Sequence, residues 1–214
     1  MKEKENLISL QIPFGKTYSI YEYSYLKSFE DRIYYSTGDN QLRIDLLEKI
    51  NSSFEKDYSE SLAGDIVLEH LLTNEELASK IKDLLKTKVN SHSGNSVADI
   101  SITHNKEYDI WINRMKANEY NPAHYHGGLL SWIWYIDIPE EINKEIGTRG
   151  IVEFKSCRTN ELMKFNPSTN DFFMFTSNHM HTVYPFRSDV TRISLAGNIQ
   201  GMIYQDGRID GSMN

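Results

Sequence analysis

The stretch NPAHYHGGLLSWIWYIDI, residues 121–138, decides how the chain reads. From Leu129 to Ile138 it is apolar on both faces and dense in β-branched and aromatic residues, which suits a strand whose two sides are both covered. Directly before that strand stand His124 and His126. Side chains alternate along an extended chain, so these two imidazoles project from one face and can share a metal ion.

Outward from this stretch, the second half of the chain reads as strands. Segments 98–103, 108–116, 129–138, 150–155, 171–176 and 190–200 are short, rich in Ile, Val, Trp, Tyr and Phe, and separated by Gly, Pro, Asn or Asp. Five or more such strands with no helical pattern among them predict a sandwich or barrel. The first half carries helical periodicity instead. Leu42, Leu46, Leu47 and Ile50 mark one helix. Thr73 followed by Glu76 forms a capping box for a second, with Leu77, Ile81, Leu84 and Leu85 on its apolar face and Leu72 stapled to Leu77. That helix is expected to end near Lys88, because Asn90, Ser91, Ser93, Gly94 and Asn95 are breakers. The fold class is mainly β with N-terminal helices (α+β). One domain is expected over residues 1–214, with 1–96 supporting a core at 97–204 and a frayed tail from Gln205.

Thirty acidic against 23 basic residues leave 214 residues with a formal net charge of −7. Phosphate neutralisation needs the opposite balance, so nucleic acid is disfavoured as a partner. Cys157 is the single cysteine, which excludes an intramolecular disulfide framework and thiolate metal clusters and fits a reducing cytoplasm. No run approaches the roughly 18 apolar residues that span a bilayer, and the start MKEKENLISLQIPFGK reads as soluble and unprocessed.

A second histidine pair, His179 and His181, follows the apolar segment 171–176. Two alternate pairs beside predicted strands, with no cysteine competing, favour a shared metal, and neutral imidazole suits Fe, Zn, Cu or Ni. The segment Val190 to Ile199 alternates Arg192, Ser194 and Asn198 against Ile193, Leu195 and Ile199. A half-buried surface strand would show the same alternation. The polar face nevertheless joins a guanidinium fork to a hydroxyl, which together hold a carboxylate, and an Arg inside a sandwich needs an anionic partner.

These residues resemble the Fe(II)/2-oxoglutarate-dependent oxygenase superfamily, in particular phage and bacterial members of its prolyl-hydroxylase-like branch. The matching elements are Asn121-Pro122-x-His124-x-His126, Ser131, and the aromatic strand ending Tyr135-Ile136-Asp137-Ile138-Pro139. Gly150 with Val152-Glu153-Phe154, Pro167, His181-x-Val183-x-Pro185-Phe186, and Arg192-Ile193-Ser194 with Asn198 follow in order, so the likeness covers about residues 108–200. The resemblance implies a double-stranded β-helix, a cupin-like jelly roll, with Fe(II) and 2-oxoglutarate as cofactors and ascorbate as an accessory reductant. It implies a hydroxylase that uses dioxygen, decarboxylates 2-oxoglutarate to succinate, and acts on a protein side chain or metabolite that the chain does not name. His124, His126 and His181 take the catalytic and metal positions. Arg192 and Ser194 take the 2-oxoglutarate carboxylate site, with Tyr135 a further donor. A cytoplasmic enzyme follows, in the host cell if phage-encoded.

Two positions depart from the usual pattern. His126 puts a neutral nitrogen where the family usually has an acidic ligand, which leaves a divalent metal with more positive charge. Asn170 stands where relatives often carry Gly, and Asn tolerates the left-handed backbone. Two other readings compete. His179 as a fourth ligand would give a closed, cupin-like Zn site, and a non-enzymatic viral jelly-roll binding or structural protein would leave the histidines incidental. Trp111, Trp132 and Trp134 are expected in the core, with the latter two able to reach the mouth. His70, His92 and His104 are expected to be structural.

Overall fold

The computed structural model describes residues 33–57, 59, 66–93, 96–156 and 160–213; the charged start, Gly94, Asn95 and Cys157 lie outside the described residues. In chain order the elements begin with β1 (Ile33–Thr37), α1 (Asn40–Ser53), β2 (Phe54–Asp57), β3 (Glu69–Leu72), α2 (Glu75–Ser93) and β4 (Val97–Ser101). Next come β5 (Thr103–His104), β6 (Glu107–Tyr108), β7 (Ile110–Met115), β8 (Asn121–His124), β9 (Leu130–Asp137) and the single turn α3 (Glu140–Asn143). The chain closes with β10 (Val152–Lys155), β11 (Leu162–Phe165), β12 (Asp171–Thr176), β13 (Met180–Val183), β14 (Arg192–Ile199), β15 (Gly201–Tyr204) and β16 (Ile209–Gly211).

A seven-stranded sheet, ordered β1-β12-β9-β14-β7-β3-β2, packs against a four-stranded sheet, ordered β11-β10-β13-β8. All the pairings are antiparallel. This is the double-stranded β-helix. Period-2 alternation splits the large sheet into two faces. Ile133, Tyr135, Phe173 and Phe175 point toward Val152 and Phe154 of the small sheet and form one core. Trp132, Trp134, Phe172, Met174 and Leu195 point the other way, onto Leu42 and Leu46 of α1 and Leu77, Ile81 and Leu85 of α2. The strand 129–138 is apolar on both sides for this reason: it lies inside the sheet, with helices on one face and the second sheet on the other.

α1 starts where Asp39 accepts a hydrogen bond from Leu42 N at 2.8 Å. The cap of α2 differs from the expected capping box. Asn74, not Thr73, accepts from Leu77 N at 3.0 Å, while Thr73 donates from its backbone N–H and hydroxyl to Ser53 O at the end of α1. α2 also runs past Lys88 to Ser93. Tertiary partners override the local breakers: Asn90 Oδ1 accepts from Val97 N at 2.6 Å, and the His92 ring packs 4.6 Å from that of Tyr34. The tail is likewise ordered rather than frayed, since β16 pairs with β15, which pairs with β4. Among the described residues no helix is long and apolar enough to cross a membrane.

Two backbone positions tie the layers together. Asn170 adopts φ 75°, the left-handed turn its side chain tolerates, and its Oδ1 accepts from Trp134 Nε1 at 3.0 Å. A Cβ at Gly38 would lie 2.0 Å from that same indole nitrogen, so the chain passes over Trp134 only as glycine.

Candidate metal centre and anion cleft

The site lies on the inner face, where the two sheets open. β13 and β8 pair so that His181 stands directly opposite His124, and His126 follows two residues after His124. This cross-strand register brings together histidines 57 positions apart in the sequence. The ring centroids are 4.2 Å apart for His124 and His181, 4.9 Å for His124 and His126, and 5.2 Å for His126 and His181. Each ring offers a nitrogen within 4.8 Å of those of the other two, a spacing suited to one metal ion.

Backbone carbonyls set the tautomers of two of these rings. His124 Nδ1 lies 2.6 Å from Pro122 O and His181 Nδ1 lies 3.2 Å from His179 O. A carbonyl can only accept, so Nδ1 carries the proton in each ring and Nε2 presents a lone pair. Such outer hydrogen bonds orient imidazole ligands and raise their basicity. His126 is placed by its backbone N–H, which donates to Ser177 O at 2.9 Å, and by Trp111, whose ring centroid is 5.4 Å away. Burial lowers the pKa of all three, to about 4 for His126, and the neighbouring imidazoles push His126 and His181 down further. The rings are therefore neutral at physiological pH, the state in which imidazole binds metal.

His179 is not in this group. Its carbonyl takes the His181 Nδ1 proton, and its own Nδ1 lies 2.7 Å from Thr176 Oγ1. Among the described residues the metal-competent cluster is three histidines, without the fourth imidazole of a closed Zn site.

Arg192 is 3 % exposed, at the start of the central strand β14. One terminal nitrogen donates to Gly150 O at 2.8 Å and the other meets Met115 Sδ at 2.6 Å; Nε has no partner. The rings of Tyr135 and Phe186 flank the guanidinium at 5.8 and 5.7 Å. Gly150 reaches it with φ 71°, and a Cβ there would strike Ile142 Cγ2 at 2.5 Å. Burial lowers the Arg192 pKa, yet arginine stays charged in proteins. Among the described residues no carboxylate pairs with it. The neighbouring Tyr135 hydroxyl is buried and also lacks a partner, and burial pushes its pKa up to about 12, so it remains a protonated donor. Arg192, Ser194 and Tyr135 line one cleft together with His124, His126 and His181. The cleft thus joins a cluster of metal-competent nitrogens to a buried cation and a buried hydroxyl that the described residues leave incompletely satisfied.

The tertiary structure decides three further points. β14 is central and buried on both faces, not a half-exposed surface strand, because β9 and β7 flank it. Trp134 packs on the helix side, away from the mouth; Trp132 belongs to the same core but also borders the cleft, and Trp111 faces the histidines. Asn198 is committed within the protein: its Nδ2 donates to Asp109 Oδ2 at 3.0 Å and its Oδ1 lies 2.7 Å from the Ser131 hydroxyl. Asn113 and Asn121 also line the cleft and were not singled out from the sequence as site residues. The signal for Asn113 was present, as the one polar residue on the Trp111-Asn113-Met115 face of a strand that reads as apolar.

Comparison with known proteins agrees with this geometry. Residues 109–198 match the model of the family described as "Putative 2OG-Fe(II) oxygenase". No curated protein matches the chain. Among solved structures, a Pseudomonas putida prolyl-4-hydroxylase is similar at 11% identity over 78% of this chain and 91% of its own, with a TM-score of 0.52, and shares the fold. A Trichoplax adhaerens prolyl hydroxylase in complex with a hypoxia inducible factor peptide fragment aligns at 12% identity, 76% and 81% coverage, and a TM-score of 0.48. A Burkholderia pseudomallei oxidoreductase of the 2OG-Fe(II) oxygenase family aligns at 16% identity, 77% and 66% coverage, and a TM-score of 0.45.

Proposed function

We propose, from the premise that this chain is a 2-oxoglutarate- and iron(II)-dependent oxygenase of the prolyl-hydroxylase-like type, that it hydroxylates a C–H bond of an organic substrate. One atom of dioxygen enters the product alcohol; the other enters succinate as 2-oxoglutarate loses carbon dioxide. Iron(II), when bound, supplies the activation of dioxygen. In this reading His124, His126 and His181 hold the metal through nitrogens on one side, leaving its other positions to the co-substrates. Because His126 contributes no charge, a divalent metal held by these three imidazoles would be one unit more positive than with the usual protein carboxylate.

The observation that carries the reading is the unsatisfied end of the cleft. A guanidinium buried with no counter-ion among the described residues is costly, and an anionic ligand would remove that cost. Arg192 Nε and the Tyr135 hydroxyl are two donors aimed at the space that Ser194 also lines, which suits the far carboxylate of 2-oxoglutarate. The aromatic walls from Phe175 and Tyr135 keep water from competing for those donors.

The test uses the full-length protein with iron(II), ascorbate and 2-oxoglutarate labelled at C1. Release of labelled carbon dioxide with stoichiometric succinate, even without prime substrate, is the expected result. Protein that neither binds 2-oxoglutarate nor forms succinate overturns the reading.

A further inference from the structure

The sequence groups Asn198 with Arg192 and Ser194 on one polar face of β14, yet Asn198 does not line the anion cleft. It belongs to a buried relay of hydrogen bonds instead. Asp109 Oδ2 accepts from Asn198 Nδ2 at 3.0 Å and also from Gln200 Nε2, and the Asn198 backbone N–H donates to Asp109 O at 3.0 Å. Asn198 Oδ1 lies 2.7 Å from the Ser131 hydroxyl, which lies 3.0 Å from the hydroxyl of Ser177. Asn198, Ser131 and Ser177 are all buried, so each depends on the next for its hydrogen bonds.

Asp109 fixes the direction of every bond in the relay. An ionised carboxylate only accepts, and the two amide N–H groups oppose the rise that burial causes in its pKa. The Asn198 amide must therefore turn its nitrogen to Asp109 and its oxygen to Ser131. Ser131 has one proton and gives it to that oxygen, so its own oxygen accepts from the Ser177 hydroxyl. Ser177 opens the turn between β12 and β13, which the His179 N–H closes onto Thr176 O at 2.9 Å. That turn meets two of the three clustered histidines. Its Ser177 carbonyl takes the His126 N–H at 2.9 Å, and its His179 carbonyl takes the His181 Nδ1 proton at 3.2 Å.

The geometry points to Asn198, acting through the Ser131 hydroxyl, as a positioning residue for the metal centre: the pair clamps the 176–179 turn, whose carbonyls set the His126 backbone and the His181 ring. This role rests on the oxygenase reading above and deepens it, since β14 then serves both halves of the site, with Arg192 at its start for the co-substrate and Asn198 near its end for the metal ligands. Removing either link leaves a buried polar atom of its neighbour without a partner, and the turn shifts to satisfy it. The histidines remain in place along the chain but lose their common focus.

The experiment titrates the metal-free full chain with cobalt(II), a coloured substitute for iron(II), against a competing chelator and reads the visible absorption. Ser131→Ala and Asn198→Ala should each weaken cobalt binding about tenfold, the lower end of what an outer hydrogen-bond partner of a ligand contributes, and should alter the absorption of the bound ion. Because both break one relay, the double variant should lose no more than the larger single loss, whereas independent effects would multiply. Tyr204→Phe removes a buried bond to Asp210 in the helix-side core and should leave cobalt affinity within about twofold, with melting temperatures showing that its cost to the fold is comparable. Ser131→Ala removes a single atom, so it decides the matter even if Asn198→Ala does not fold. Unchanged affinity in Ser131→Ala, an equal loss in Tyr204→Phe, or losses that multiply in the double variant would overturn the relay while the oxygenase reading stands. Unaltered protein that binds no cobalt would overturn the metal centre itself, and the relay with it.

Discussion

The two faces of the large sheet are made by the same strands and do opposite things. On the helix side Trp132, Trp134, Phe172 and Leu195 meet the apolar faces of α1 and α2, and Trp134 even finds an acceptor for its N–H in Asn170. On the cleft side the alternate residues of those strands include Tyr135, Asn113 and Arg192, each buried with a polar atom that has no partner. Buried atoms without a partner occur on the helix side too, at Trp132 Nε1 and both His92 ring nitrogens, but those groups are neutral, whereas the cleft side includes a charged guanidinium, the kind of buried group that most needs a partner. One face maintains the fold and the other maintains the chemistry.

The sharpest way to separate them is His181→Ala. Losing an outer hydrogen-bond partner of a metal ligand costs roughly 10–100-fold in metal affinity, and loss of the ligand itself should exceed that. Equilibrium dialysis with iron(II) should show retention abolished, with thermal stability of the metal-free protein little changed. Trp134→Ala should behave in the opposite manner. It opens a cavity between the sheet and α2 and should cost about 3–5 kcal/mol in urea unfolding, while iron affinity in the folded protein stays within a few-fold of its original value. A large loss of metal binding on Trp134→Ala would mean that the two faces are not independent.

Arg192→Ala should weaken 2-oxoglutarate binding by about 2–4 kcal/mol, read by titration, with the metal still bound. Unchanged affinity would remove Arg192 from the anion site. The smallest effect is the helix side's share of a pH dependence to which the buried cleft histidines also contribute. Burial, reinforced by the charge of Lys88, holds His92 down to about 4, below the ordinary 6.5. The unfolded chain takes up this proton near pH 6.5 and the folded chain only near 4, so the stabilisation is complete above 6.5 and is lost as pH falls toward 4. The His92 share is up to about 3 kcal/mol, and His92→Phe should flatten the dependence of melting temperature on pH across that window by that share.

Much of both faces was legible in the chain, for identifiable reasons. Density of β-branched and aromatic residues located the strands at 129–138 and 171–176, period-2 alternation that at 190–200, and the alternate spacing of His124 and His126 marked them as one-faced, because alternation is local geometry. Tryptophans 132 and 134 were harder. Both sides of β9 are apolar, so nothing local distinguishes the helix side from the cleft side. The same limit applied at Asn90 and His92, where polar residues that stop an isolated helix are held in α2 by Val97 and Tyr34.

Residue types and their spacing by themselves determined that the second half of this chain builds a sandwich or barrel of short strands, with imidazoles at a strand start and a guanidinium on a later strand. Only the tertiary structure decided that His181 comes to lie across from His124, and that Arg192 is buried with no counter-ion among the described residues. Those facts depend on pairing register between strands far apart in the chain. Register is set by the packing of whole sheets, which no short window of residues encodes.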